Sequence, residues 1–146
     1  MPPEPVRPGS PQDRLRYAVS DLELAKTSGV PNVMLESLCY HAQQCAKKAL
    51  KAALVACGVA VHRTHNIGLL LDLLSEHTDI PGELQPAAIL TDYAVASRYP
   101  GDAEPVTHSE YEQALHLAEM VLVWAGQIVN QRRETRSSGG TADETM

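Results

Sequence analysis

The segment 39–52, CYHAQQCAKKALKA, places polar side chains at helical spacing within an otherwise apolar run. Four of them recur every three or four positions: His41, Gln44, Lys48 and Lys51. On a helix this spacing gathers them into one stripe. Imidazole, amide and ammonium groups donate hydrogen bonds, as a bound phosphate or carboxylate requires. The stripe therefore predicts an anion-binding groove, and its structural alternative is the solvated edge of a packed helix.

A metal site is a third interpretation of this segment. His41 and Cys45 have an i, i+4 spacing that a metal ion can bridge, but two ligands do not complete a tetrahedral site. The three cysteines of the chain lie in one predicted helix, and their spacings of 6 and 12 match no CxxC pattern: Cys39, Cys45 and Cys57. We therefore expect reduced core cysteines, with no metal and no cofactor.

Arg98 and Tyr99 form a second candidate site, directly before a Pro-Gly pair that ends a predicted helix. The guanidinium can bind a phosphate in a bidentate manner, and the neighbouring ring can stack on a base. The structural alternative is that Arg98 interacts with the helix C-terminus and pairs with Asp102 or Glu104.

His65 and Asn66 form a third candidate, at the predicted start of a helix. Asn66 fits an N-cap, whose side chain accepts a hydrogen bond from a free backbone N–H group. The functional alternative is that His65 stands where the N–H groups of the helix end attract an anion.

The composition fits a single helical domain. The chain has 146 residues, 44% of them hydrophobic, but only 4% aromatic and no Phe, so its core is aliphatic and rich in alanine. The net charge of −6 means that any RNA contact must use a local basic patch. No run of about 18 apolar residues and no signal-peptide pattern occurs, so we expect a soluble, cytoplasmic protein without membrane contact.

Apolar residues recur at helical spacing along five segments, and no segment alternates as a strand would. Helices are predicted over about 12–27, 32–57, 65–74, 82–98 and from 107 onward. The second is expected to be capped by Asn32, and the first to turn Asp21 away from its apolar side. The pattern predicts an all-α, up-and-down bundle of four or five helices, with the second helix at its centre.

The two ends of the chain differ in composition from the predicted bundle. Residues 1–11 contain five of the ten prolines and predict a disordered lead-in. Residues 133–146 are polar and predict a flexible tail. The helical domain is therefore expected over 12–132, with Trp124 in the last helix either packing in the bundle or contacting a second subunit.

Three segments in this order resemble the HEPN domain, the higher eukaryote and prokaryote nucleotide-binding family: HAQQCAKKALKA at 41–52, THNIGLLLDLL at 64–74 and TDYAVASRYPGD at 91–102. The chain is most similar to the small stand-alone HEPN proteins of bacteria and archaea. It departs from them at Lys47-Lys48, where that group tends to have Glu-Lys.

The resemblance implies a helical bundle that forms a symmetric dimer. It also implies a minimal nucleotidyltransferase as partner, as in toxin–antitoxin modules. We expect the last helix to face the partner subunit most and the second helix to face it least. Nucleotide or RNA is the ligand that the resemblance implies.

Many HEPN proteins are metal-independent ribonucleases with an Arg followed, after four to six residues, by a His. No Arg lies at that distance before any of the six histidines of this chain. We therefore expect a non-catalytic module that binds nucleotide or a nucleotidyltransferase. The alternative is a ribonuclease toxin whose site is assembled in space from Arg98 and His65.

Overall fold

In the computed structural model, residues 6–61, 63–93 and 104–144 are described, with side chains as far as residue 135. These residues form an all-α helical bundle without a strand. Its elements are α1 (Pro11–Ala25), α2 (Leu35–Ala56), α3 (Ile67–Ser75), a 3-10 helix (Gly82–Tyr93) and α4 (His108–Glu144). The described helices include none that is long and apolar enough to cross a membrane.

Helix α2 lies at the centre of the bundle, as its wide apolar side predicts. It contacts α1, α3, α4 and the 3-10 helix. The residues that line this side are small or aliphatic and are buried: Leu38, Ala42, Cys45, Ala46, Ala49, Leu50, Ala53, Leu54 and Ala56. Alanines at these positions allow neighbouring helix backbones to come close, which suits a core without Phe.

Several helix ends follow the predicted signals. Asn66 caps α3, and its side chain accepts a hydrogen bond from the N–H of Leu69 at 3.1 Å. At the start of α4, Thr107 and Glu110 exchange reciprocal side-chain bonds to each other's backbone N–H groups, as in a capping box. Gly58 follows the C-terminus of α2 with φ +78°, a conformation that glycine adopts without strain.

The predicted start of α2 is wrong. Asn32 adopts a left-handed conformation with φ 67° and lies in the preceding turn, and the helix begins at Leu35 after Met34. Met34 makes no side-chain cap bond. Asparagine tolerates the left-handed region well. Asn32 therefore lies in the turn before α2 and does not cap the helix as the sequence had suggested.

The predicted helix over 82–98 also differs. Its described part, Gly82–Tyr93, is a 3-10 helix with Pro86 inside it. Proline lacks the N–H group and its ring clashes with the preceding α-helical turn, so a regular α-helix is disfavoured there. Residues 94–98 lie outside the described part of the chain. The backbone of α4 continues to Glu144, across the segment whose composition predicts a polar tail.

Candidate functional site

An ion-pair cluster joins α1 to α2. Asp21 on α1 contacts two side chains of α2, one with each carboxylate oxygen. The Nδ1–H of His41 donates to Oδ1 at 2.9 Å, and Nζ of Lys48 donates to Oδ2 at 2.6 Å. The Asp21 side chain is 9% exposed, whereas those of His41 and Lys48 are each 33% exposed. We call Asp21, His41 and Lys48 the ion-pair cluster.

The ion-pair cluster contradicts the expectation that Asp21 points away from the bundle. The residue lies one position before Leu22, on the edge of the buried face of α1, and its carboxylate is buried against α2. A buried carboxylate is stable only with partners for its charge, and on α2 the ammonium group of Lys48 and the ring N–H of His41 supply them. His41 and Lys48 are therefore committed to an internal acid and are not both open to an outside anion.

A second group of cations lies beside the cluster without a carboxylate partner among the described residues. Lys47 and Lys51 are one turn apart on α2, and both side chains are half-buried. Nζ of Lys47 is 3.3 Å from Nδ1 of His65, and Arg14 on α1 is close enough to lower the pKa of Lys51. We call Arg14, Lys47, Lys51 and His65 the lysine face.

Burial and mutual repulsion disfavour the charged forms of the titratable groups on the lysine face. Burial, followed by the charges of Lys51 and Lys48, lowers the pKa of Lys47. Burial and then Arg14 lower the pKa of Lys51. The charge of Lys47, followed by burial, lowers the pKa of His65. An anion bound here would offset all three effects, because it favours the charged form of each group.

Gln44 does not belong to an open groove. It is 6% exposed, and its amide donates to the side-chain oxygen of Gln43 at 3.1 Å. Gln43 is fully buried and donates in turn to the backbone carbonyl of His65 at 3.3 Å. The two glutamines thus tie α2 to the loop before α3, and they hold His65 next to Lys47. This positioning role was missed from the sequence, since an amide in a polar stripe resembles a surface residue.

Of the other candidate residues, Asn66 caps a helix, and Arg98 and Tyr99 lie outside the described residues. The side chain of Asn66 is used to cap α3, as the structural alternative predicted. Arg98 and Tyr99 lie outside the described residues, as does any meeting of Arg98 with His65. The hydroxyl of Thr91, the first residue of the segment TDYAVASRYPGD, accepts from the N–H of Ile67 at 2.9 Å and so joins the 3-10 helix to α3.

The described residues contain no group of three or more His, Cys, Asp or Glu side chains that could hold a metal ion. Cys45 is fully buried, and burial followed by the charge of Asp21 raises the pKa of its thiol to about 12. A metal binds the thiolate, which this environment disfavours. All three cysteines are free; Cys39 is buried like Cys45, and Cys57 is partly exposed.

Comparison with known proteins agrees with the fold. A model of the HEPN domain matches residues 11–129. The crystal structure of TT1696 from Thermus thermophilus is similar, with 34% sequence identity and a TM-score of 0.71 over 82% of this chain and 98% of that one. ST0689, an archaeal HEPN homologue, is 30% identical with a TM-score of 0.66 over the same shares of the two chains.

No curated protein matches this chain significantly. The family match, by contrast, spans α1, α2, α3, the 3-10 helix and most of α4, and therefore includes the ion-pair cluster and the lysine face. The structural neighbours cover the same bundle almost from end to end of their own chains. The chain belongs to the HEPN domain family.

Proposed function

We propose that this HEPN protein is a dimeric binding module, non-catalytic by itself, whose lysine face binds the phosphate groups of a nucleotide or of RNA. The observation that carries the proposal is that Lys47 and Lys51 are half-buried and have no carboxylate partner among the described side chains. A phosphate supplies the missing charge and accepts several hydrogen bonds from ammonium groups.

The proposal is tested by measuring binding of a fluorescein-labelled octadeoxyadenylate, d(A)8, by fluorescence anisotropy. Replacing both Lys47 and Lys51 by alanine is expected to weaken binding about ten-fold or more, because two phosphate contacts are lost. The matched control is Lys26→Ala, which removes a lysine beside α1 that pairs with Glu23 at 3.7 Å. Equal losses in both variants, or no binding by the parent, contradict a specific phosphate site on the lysine face.

The dimer is proposed to form through the outer side of α4. This side borders a cleft of about 410 Å³ against the 3-10 helix, where Met120, Val123 and Trp124 meet Leu84. Val123 is 57% exposed, so an apolar strip remains uncovered in one subunit. A second copy of the chain is the occupant that the family resemblance supports.

Light scattering coupled to size-exclusion chromatography tests the dimer. The parent is expected to have twice the chain mass, and Val123→Glu to have the monomer mass, because a charge would be buried at the contact. Val19→Glu makes the same substitution at a valine of α1 that is 45% exposed and outside the cleft, and this variant should remain dimeric. A monomeric parent, or a dimeric Val123→Glu variant, contradicts this interface.

The resemblance also supports a nucleotidyltransferase partner in a toxin–antitoxin-like pair in the cytoplasm, where the three free cysteines stay reduced. Co-expression with a nucleotidyltransferase encoded beside this chain, followed by co-purification through a tag on one partner only, tests the pair. Recovery of the tagged protein alone at high yield contradicts it.

A ribonuclease toxin is the second candidate function, and the ion-pair cluster favours it. Asp21 fixes Nδ1 of His41, which leaves Nε2 able to accept the proton of an RNA 2′-hydroxyl as its oxygen attacks the phosphate. Total RNA incubated with the parent in EDTA should stay intact if the protein is non-catalytic. Cleavage that is lost in His41→Ala or Arg98→Ala would establish the ribonuclease instead.

A further inference from the structure

Two aromatic residues of this aromatic-poor chain are exposed on α1 and α2. Tyr93 and Tyr111 are buried at 8% and 3% exposure, whereas Tyr17 is 53% exposed and Tyr40 43% exposed. The Tyr40 ring packs edge-on against His41, with 5.5 Å between ring centroids. Tyr17 makes no ring contact of this kind within the described part of the chain. Tyrosine is common at binding surfaces because it combines an apolar ring with a polar hydroxyl.

Tyr17 lies among cations. The guanidinium carbon of Arg16 is 5.2 Å from the centroid of its ring, and Nζ of Lys48 is 5.7 Å from it. Asp13 holds Arg16 at 2.8 Å, and Asp21 holds Lys48 at 2.6 Å, so both cations are fixed by acids rather than by the ring alone. Even with both cations in place, about half of the Tyr17 side chain remains open to solvent.

The same ring lies next to the lysine face. Arg14 precedes Tyr17 by one helical turn on α1, and Lys51 follows Lys48 by almost one turn on α2. The Coulombic effect of Arg14 on Lys51 shows that the two helices bring these cations together. An exposed aromatic ring beside unpaired cations is the arrangement with which proteins bind single-stranded nucleic acid, because bases stack on the ring and phosphates contact the cations.

We propose that Tyr17 is the platform on which a base stacks when a single-stranded nucleic acid binds with its phosphates on the lysine face. This inference rests on the proposed phosphate site and adds that the base itself is recognised. The ligand is therefore a nucleotide or a single strand with unpaired bases, and neither a duplex nor an inorganic polyphosphate satisfies the whole site. Recognition by stacking tolerates any base, since every base has a π-face.

The test compares two labelled DNA octamers that carry the same backbone charge. One is d(A)8, and the other has tetrahydrofuran residues in place of every nucleoside, so that it has phosphates without bases. The parent is expected to bind d(A)8 about ten-fold more tightly than the abasic octamer. Tyr17→Ala should erase this preference, with affinity for the abasic octamer changed less than about two-fold. Tyr17→Phe should keep the preference because it keeps the ring.

Two controls separate this inference from the phosphate site. Val19→Ala shortens another exposed side chain of α1, 45% exposed in the parent, and should leave the preference intact. Lys51→Ala should weaken the binding of both octamers to the same extent, because it removes a phosphate contact and leaves the Tyr17 ring in place. Circular dichroism melting of Tyr17→Ala should agree with that of the parent within a few degrees, as expected for an exposed position.

Each outcome decides the inference. If Tyr17→Ala retains the preference for d(A)8, Tyr17 is not the platform, and the phosphate site stands through the loss seen in Lys51→Ala. If the parent binds both octamers equally well, bases are not recognised and the inference fails alone. If the parent binds neither octamer, the inference and the proposed phosphate site fail together.

Discussion

Asp21 organises the polar chemistry of α1 and α2 at the scale of single residues. Its buried carboxylate contacts His41 and Lys48, two of the residues that the sequence suggested as anion ligands. An internal acid thus takes the place of an outside anion for these two side chains. On α2, Lys47 and Lys51 remain without an acid among the described residues, and Lys47 was not among the predicted ligands. The polar stripe of α2 is therefore divided between a structural half and a half available for binding.

Replacing Asp21 by asparagine is expected to lower the free energy of unfolding by about 2 kcal/mol. The substitution leaves the partly buried charge of Lys48 without its partner, and partial exposure of that lysine keeps the cost below that of a fully buried pair. Urea denaturation measures the change. The control Glu23→Gln alters an exposed acid of the same helix and should cost less than about 0.5 kcal/mol. If Asp21→Asn lowers the free energy of unfolding as little as Glu23→Gln does, the ion-pair cluster contributes no stability.

At the scale of elements, the short helix α3 is positioned from both sides by polar contacts. Asn66 caps its first turn, Thr91 of the 3-10 helix accepts from the N–H of Ile67, and Gln43 of α2 donates to the carbonyl of His65. Nine residues are too few for an isolated helix to be stable, so these contacts and the burial of Ile67 support it.

Asn66→Ala is expected to destabilise the protein by about 1 kcal/mol, the usual cost of losing an N-cap. Asn66→Ser keeps an oxygen that accepts from the N–H of Leu69, and it should recover most of that loss. Thermal and urea unfolding measure both variants. If Asn66→Ala instead retains full stability but loses affinity for d(A)8, Asn66 is a ligand contact rather than a cap.

His65, which lies just before α3, is expected to make the binding of d(A)8 depend on pH. The neighbouring charge of Lys47 lowers the pKa of His65 below its ordinary value of 6.5, so the imidazole is neutral at pH 7.5. As the pH falls through this lowered pKa, His65 gains a positive charge, and a bound phosphate favours that charge. Affinity for d(A)8, whose phosphodiesters do not titrate in this range, should rise about three-fold between pH 7.5 and 5.5.

Variants of two histidines show whether that pH dependence belongs to the lysine face. His65→Gln should remove the rise in affinity, whereas His116→Gln, at an exposed position of α4, should retain it. Anisotropy titrations at each pH give the comparison. A rise that persists in His65→Gln would assign the pH dependence to another group.

The whole molecule is acidic, yet its cations are unevenly placed. The net charge is −6, with 12 Lys and Arg against 18 Asp and Glu. Three of those cations, Arg14, Lys47 and Lys51, gather on one face formed by α1 and α2. Long-range attraction for nucleic acid is weak in such a protein, so binding depends on local contacts with few phosphates.

Salt dependence follows from that small number of contacts. With about three phosphates neutralised, the logarithm of the binding constant for d(A)8 should fall with the logarithm of salt concentration at a slope of about −2. Between 50 and 200 mM salt, affinity should therefore decrease about 20-fold. Lys51→Ala should reduce the slope by about 0.7 as well as the affinity. A slope near zero would contradict phosphate binding on the lysine face.

The sequence alone determined the fold class, the central place of α2, the apolar residues that α2 buries and the caps of α3 and α4. These features follow from local spacing: a period near 3.6 fixes which side of a helix is buried, and caps involve residues three positions apart. Two features differ from the prediction: the 3-10 geometry over Gly82–Tyr93 and the left-handed conformation of Asn32. Each follows from local backbone preferences, which the spacing of apolar residues does not reveal.

Only the tertiary structure decided which polar residues of α2 are free. Asp21 and Lys48 are 27 residues apart, and Gln43 and His65 are 22 apart, so no local rule connects them. The pairing of α1 with α2 brings an acid to two of the predicted ligands, and the Lys47–His65 contact forms only when α3 docks. The interaction between two charges depends on their distance in space. The sequence therefore indicated the candidate residues, but the packing of the helices determined which of them are paired with an acid.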